Sequence, residues 1–142
     1  MDRNVGLLNS IYQNATLASE SIDQLLPKVE YPELSSSLAH QKAVYNGYAK
    51  RAEQMIYNYK EEPQQLNGMK KAAMWTGVHL NTMLDSSRSS IAELMIEGSN
   101  MGAQELQDRL KEYFGCEKPV DKLGQALLKY EQTAAEELKR FL

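Results

Sequence analysis

Apolar residues recur along this chain at alternating spacings of three and four, and no Val/Ile/Thr-rich run alternates over a strand's length. The stripe Leu8, Ile11, Ala15, Ala18, Ile22 and Leu25 predicts a first helix from about Asn4 to Leu26, stopped by Pro27. A second begins near Pro32, a good first-turn residue, and carries Leu34, Leu38, Gln41, Tyr45, Tyr48, Ala52, Met55 and Tyr59. It is expected to end near Glu62, because Pro63 disfavours helix in the residue before it. A short third helix is predicted over Met69 to Leu84, with Met69, Ala73, Thr76, Leu80 and Met83 on one side. The segment Asp85 to Ser90 offers several capping residues, so a fourth helix starts within Ser86–Ser90 and runs to about Phe114, before Gly115. The fifth runs from Pro119 to Phe141 on Val120, Leu123, Leu127, Tyr130, Ala134, Leu138 and Phe141.

Each stripe is narrow, so each helix needs neighbours along that one side. Short connections make successive helices antiparallel. The pattern therefore predicts one all-α domain over residues 1–142: an up-down four-helix bundle, with an additional short helix between the second and third long ones.

Composition narrows the function classes. The apolar and charged fractions, 42% and 25%, suit a folded chain, and a net charge of −3 without a clustered basic face gives no reason to expect a nucleic-acid surface. No apolar run is long enough to span a bilayer and the first residues carry no signal-peptide core, which makes a cytoplasmic setting the expectation. The single cysteine, Cys116, has no internal disulfide partner and no histidine nearby in sequence to activate it.

Four kinds of position break the pattern. Gln41 falls on an apolar stripe, where a buried amide needs partners. Tyr45 and Tyr48 share its stripe and Tyr130 sits on the last, so together they outline a polar core or pocket. Gly98 and Gly102 each weaken a helix by roughly 1 kcal/mol relative to Ala, which points to close approach of another helix or subunit. Trp75 and His79, one turn apart on the short helix, suggest an exposed patch for a partner. The methionines clustered between Met69 and Met101 read as adaptable packing.

The order of elements resembles the ferritin-like superfamily. More narrowly, the insert GMKKAAMWTGVHLNTMLD followed by SIAELMIEGSNMG is similar to small bacterial bundles that place a short Trp-containing helix between the second and third long helices. The resemblance implies a di-iron site, which in working members needs a Glu on two helices and Glu-x-x-His on the other two. No glutamate here has a histidine three residues on; Glu131 is followed at that spacing by Ala134, and Ser99 stands where rubrerythrin-like proteins carry a glutamate after glycine. Glu20, which resembles a first-helix ligand, lies opposite its helix's stripe. The sequence therefore predicts no metal site, no cofactor and no catalytic residue. It favours a non-enzymatic bundle acting through a homodimer or another protein partner. The alternative is a divergent ferritin-like metal-binding protein or oxidoreductase with an altered site.

Overall fold

The computed structural model describes residues 2–65 and 87–142. Among them are four long helices: α1 (Arg3–Leu25), α2 (Pro32–Asn58), α3 (Arg88–Glu112) and α4 (Lys118–Leu138), with 3₁₀ turns at Leu26–Lys28 and Lys139–Phe141. No strand occurs among the described residues. The expected short helix over Met69 to Leu84 lies outside them.

Local chemistry sets the ends. Asp2 caps α1 by accepting from the Asn4 amide at 2.7 Å, and Ser87 caps α3 by accepting from the Ser90 amide at 3.2 Å. Pro32 and Pro119 occupy first-turn positions where no backbone donor is needed. Helix α2 stops earlier than Pro63 alone would require. Lys60 adopts φ 60°, the Glu61 amide reaches back to the Ile56 carbonyl at 3.3 Å, and the Lys60 amide reaches Tyr57 at 2.8 Å. This paired closure satisfies the last carbonyls and turns the chain four residues before the expected end.

All four helices pack against one another. Helix α1 touches each of the other three, which widens its buried surface beyond a single stripe: Leu7, Leu8, Ile11, Ala15, Ile22 and Leu25 are fully buried, and Asn9, Asn14 and Ser19 are buried with them. The polar residues are held by specific bonds. Asn9 accepts from the Gln64 amide at 2.9 Å, Asn14 donates to the Gly102 carbonyl at 2.9 Å, and Ser19 donates to Asn46 at 2.6 Å.

These contacts also fix the helix directions. Ser19 meets Asn46 while Asn9 meets Gln64, so α1 and α2 are antiparallel. Asn14 meets Gly102 while Gly6 meets the Tyr113 ring, so α1 and α3 are antiparallel. Arg88 meets Phe141 and Gly124 meets Leu110, which makes α3 and α4 antiparallel. Helices α2 and α3 therefore run the same way. Strict alternation along the chain, expected from short connections, fails at this one step: the end of α2 and the start of α3 lie at opposite ends of the bundle. Among the described residues no helix is long and apolar enough to cross a membrane.

Candidate functional site

The polar anomalies of the sequence converge where α2 faces α4. The Tyr45 and Tyr130 rings meet edge to face, 5.4 Å between centroids and 83° between planes, and Tyr48 lies 6.1 Å from Tyr130. Tyr45 is fully buried and its hydroxyl is hydrogen-bonded to Ser99 of α3. Burial, reinforced by the nearby Glu131 charge, pushes its pKa well above that of an ordinary tyrosine. Tyr130 is half-buried; burial and Glu137 raise its pKa to about 12, and its hydroxyl has no partner among the described residues.

One turn along, Gln41 is fully buried. Its amide donates to the Ala134 carbonyl across a long 3.4 Å, and its carbonyl oxygen has no partner among the described residues. A side chain of similar volume without that orphan acceptor packs better. Gln41→Leu is expected to raise stability by about 1 kcal/mol, read as a higher denaturant midpoint with an unchanged slope. A loss of stability would show that the amide is doing more than the Ala134 bond.

The decisive residue is Glu131, which the pattern of stripes passes over in favour of its neighbour Tyr130. It is 1% exposed, and Oε1 has no hydrogen-bond partner among the described residues. None of the ion pairs among those residues involves it; they join Lys42 to Asp23, Arg109 to Glu105 and Glu112, and Lys139 to Glu136. Burial alone raises its pKa from the ordinary 4.5 to about 8, so the carboxyl is mostly protonated at neutral pH. Its carboxyl approaches Gly102 through Oε2: a Cβ there would stand 2.0 Å from that oxygen. The glycine thus makes room for a carboxyl group from α4.

A groove of about 510 Å³ runs between α1 and α3, with Glu131 and Tyr45 reaching it from the helices behind. Its walls are largely apolar, from Leu17 and Ala18 of α1 and from Met95, Met101 and Leu106 of α3. Gly98 and Gly102 both line it, which leaves the α3 wall free of side chains at those two positions. Arg109 stands at its edge, bonded to Glu112 at 2.6 Å.

The remaining sequence candidates lie elsewhere. Trp75 and His79 fall outside the described residues. His40 is exposed on α2, Glu20 is half-buried on α1, and Cys116 is half-buried with its thiol donating to the Tyr113 carbonyl at 3.0 Å. Burial pushes the Cys116 pKa up, against thiolate formation. Among the described residues, no three His, Cys, Asp or Glu side chains gather as a metal cluster. Compared with protein-family models, curated proteins and solved structures, the chain matches none.

Proposed function

We propose that this chain is a small-molecule-binding helical bundle, with its ligand held in the α1–α3 groove above Glu131, Tyr45 and Ser99. The observation that carries this reading is the unpartnered, fully buried carboxyl of Glu131 at the bottom of an apolar groove. An apolar cleft with a few convergent polar groups is the usual form of a ligand site, and a carboxyl with a strongly displaced pKa is costly to keep without a use. The reading moves the emphasis from self-association to the groove. Gly98 and Gly102, whose helix-weakening suggests a packed neighbour, here open a wall and admit a carboxyl group.

A neutral naphthylamine dye, N-phenyl-1-naphthylamine, tests the groove. One dye per chain is expected to bind with a saturable rise in fluorescence. Leu17 lines the groove from α1 and is not part of the buried core, so Leu17→Trp is expected to fill the space and weaken the dye at least tenfold without lowering the melting temperature. Equal binding by both proteins would place the dye elsewhere and defeat the reading.

A second reading, a divergent ferritin-like bundle with an altered site, is supported by the helix directions. Two antiparallel hairpins whose middle helices run parallel need one long crossover, as ferritin-like folds have. Glu131 would then be a remaining ligand-position carboxylate, with Ala134 and Ser99 replacing other ligands. Elemental analysis of untagged protein decides: about two metals per chain would favour this reading, as in di-iron relatives.

A further inference from the structure

We infer that the groove's ligand is an organic ammonium, an apolar body carrying one protonated amine, with the Glu131 carboxylate as its counter-ion. This inference rests on the groove being a ligand site and names the chemistry it selects.

The argument is an inventory of unmet bonding capacity. Among the described residues the buried side-chain atoms lacking a hydrogen-bond partner are Glu131 Oε1, the Gln41 carbonyl oxygen, the Tyr130 hydroxyl, Asn9 Nδ2 and Arg109 Nε. Of these residues Glu131 and Arg109 line the groove, and Arg109 has its own carboxylates in Glu105 and Glu112. The unmet capacity inside the groove is therefore that of the Glu131 carboxyl, which once ionised can only accept. The Tyr45 hydroxyl, bonded to Ser99, is both donor and acceptor and favours neither kind of head group. A ligand that brings N–H donors meets this demand; one that brings acceptors meets it only while Glu131 keeps its proton. An ammonium also supplies the positive charge that Glu131 lacks. Buried carboxylates are ordinarily paired, and an unpaired one is held neutral by its surroundings.

The charged groups around Glu131 leave this role open. Helix α1 contributes only neutral side chains to the groove, such as Ser10, Gln13 and Asn14. Helix α2 contributes Tyr45, and α3 contributes Arg109 and Glu105. Arg109 is paired with Glu112 at 2.6 Å and with Glu105 at 3.6 Å, so its charge is matched within its own helix. Helix α4 contributes Glu131 itself, with Tyr130 next to it. The apolar walls, Leu17, Met95, Met101 and Leu106 among them, suit the rest of the ligand, and 510 Å³ admits an aryl or alkyl chain.

Binding would be coupled to a proton. Near pH 7 the free protein holds Glu131 mostly protonated, and an ammonium ion favours the carboxylate, so each amine bound displaces nearly one proton into the buffer. A neutral ligand displaces none.

Calorimetric titration of the full chain with 4-phenylbutylamine, 4-phenylbutan-1-ol and 4-phenylbutyrate tests this directly. The three share one apolar body and differ in the head group. The amine is expected to bind at least tenfold more tightly than the alcohol at pH 7. Its heat should differ between buffers of different ionisation enthalpy, to the extent of nearly one proton released. Glu131→Gln should abolish both the amine's advantage and the proton release, and an unchanged far-UV circular dichroism spectrum with a cooperative melt shows that the variant is folded. If the alcohol or the carboxylate binds as well as the amine, the ammonium assignment fails and the groove stands. If none of the three binds at millimolar concentration, the groove reading fails with it.

Discussion

Glu131→Gln is expected to stabilise the protein increasingly as pH rises from about 4.5 to 8, and to leave it nearly unchanged below about pH 4.5. The ordinary carboxylate of the unfolded chain loses its proton near pH 4.5, whereas the buried group keeps it to about pH 8. Between those values the folded form binds one proton more than the unfolded form. Its stability therefore falls as pH rises, by about 1.4 kcal/mol per unit, and levels off above the folded value. The whole decline is on the order of 5 kcal/mol, a large part of the stability of a domain this size. Glutamine has the same shape and cannot ionise, so the variant does not take part in it. Below pH 4.5 both forms of the wild type carry the proton and the two proteins should agree within about 1 kcal/mol, the usual scale of an exchanged neutral hydrogen bond. Denaturant melts of both proteins at pH 4, 6, 7.5 and 9 measure the difference directly. Other titrating groups, including Cys116 and the raised tyrosines, are common to both chains and cancel in the comparison. Two parallel stability curves would mean that Glu131 reaches water in the folded protein. An ammonium ligand should act in the same direction as the mutation, relieving the alkaline loss by pairing with the carboxylate.

Much of this fold is legible in the chain, and its limits have physical causes. The stripes of α1, α2 and α4 largely follow the buried faces because burial on a helix repeats with the turn: on α2, Leu34, Leu38, Gln41, Tyr45 and Ala52 are buried, while Tyr48, Met55 and Tyr59 are half-buried and Ile56, off the stripe, is buried. Asp2 and Ser87 mark two starts through bonds made within one turn, and Pro32 and Pro119 mark the others because the first turn needs no donor there. The parallel relation of α2 and α3 could not be seen this way, since it depends on which helices meet across the bundle. Glu131 was legible and easily misread. Leu127, Glu131, Ala134 and Leu138 follow the same alternation of four and three as any stripe, and all four are buried. Yet Leu127, Tyr130 and Ala134 satisfy it as well, and a glutamate five residues before Glu136-Glu137 reads as solvated surface. The deciding fact is on another helix, where Gly102 provides the space for the carboxyl group. A glycine's weakening effect is visible in sequence; the side chain that uses the space is not.

That relation gives the sharpest structural test, because one substitution should change sign with its background. Gly102→Ala removes an interior helix glycine, which by propensity alone gains roughly 1 kcal/mol. In the wild-type background the added methyl would stand 2.0 Å from Glu131 Oε2 and 3.2 Å from Cδ, so the carboxyl must leave its seat. Glu131 is 1% exposed, and displacing a packed side chain costs roughly 1–3 kcal/mol. At pH 4, where ionisation plays no part, the two contributions should leave Gly102→Ala destabilising by about 1 kcal/mol. In a Glu131→Ala background the obstruction is gone and the new methyl occupies part of the vacated space. There the same substitution should stabilise by about 1 kcal/mol. The coupling between the two sites is then about 2 kcal/mol, within the range for residues in direct contact and far above the error of denaturant melts. Equal effects of Gly102→Ala in both backgrounds would mean that the carboxyl does not rest on Gly102, and with it would go the account of why a long helix keeps a glycine at this position.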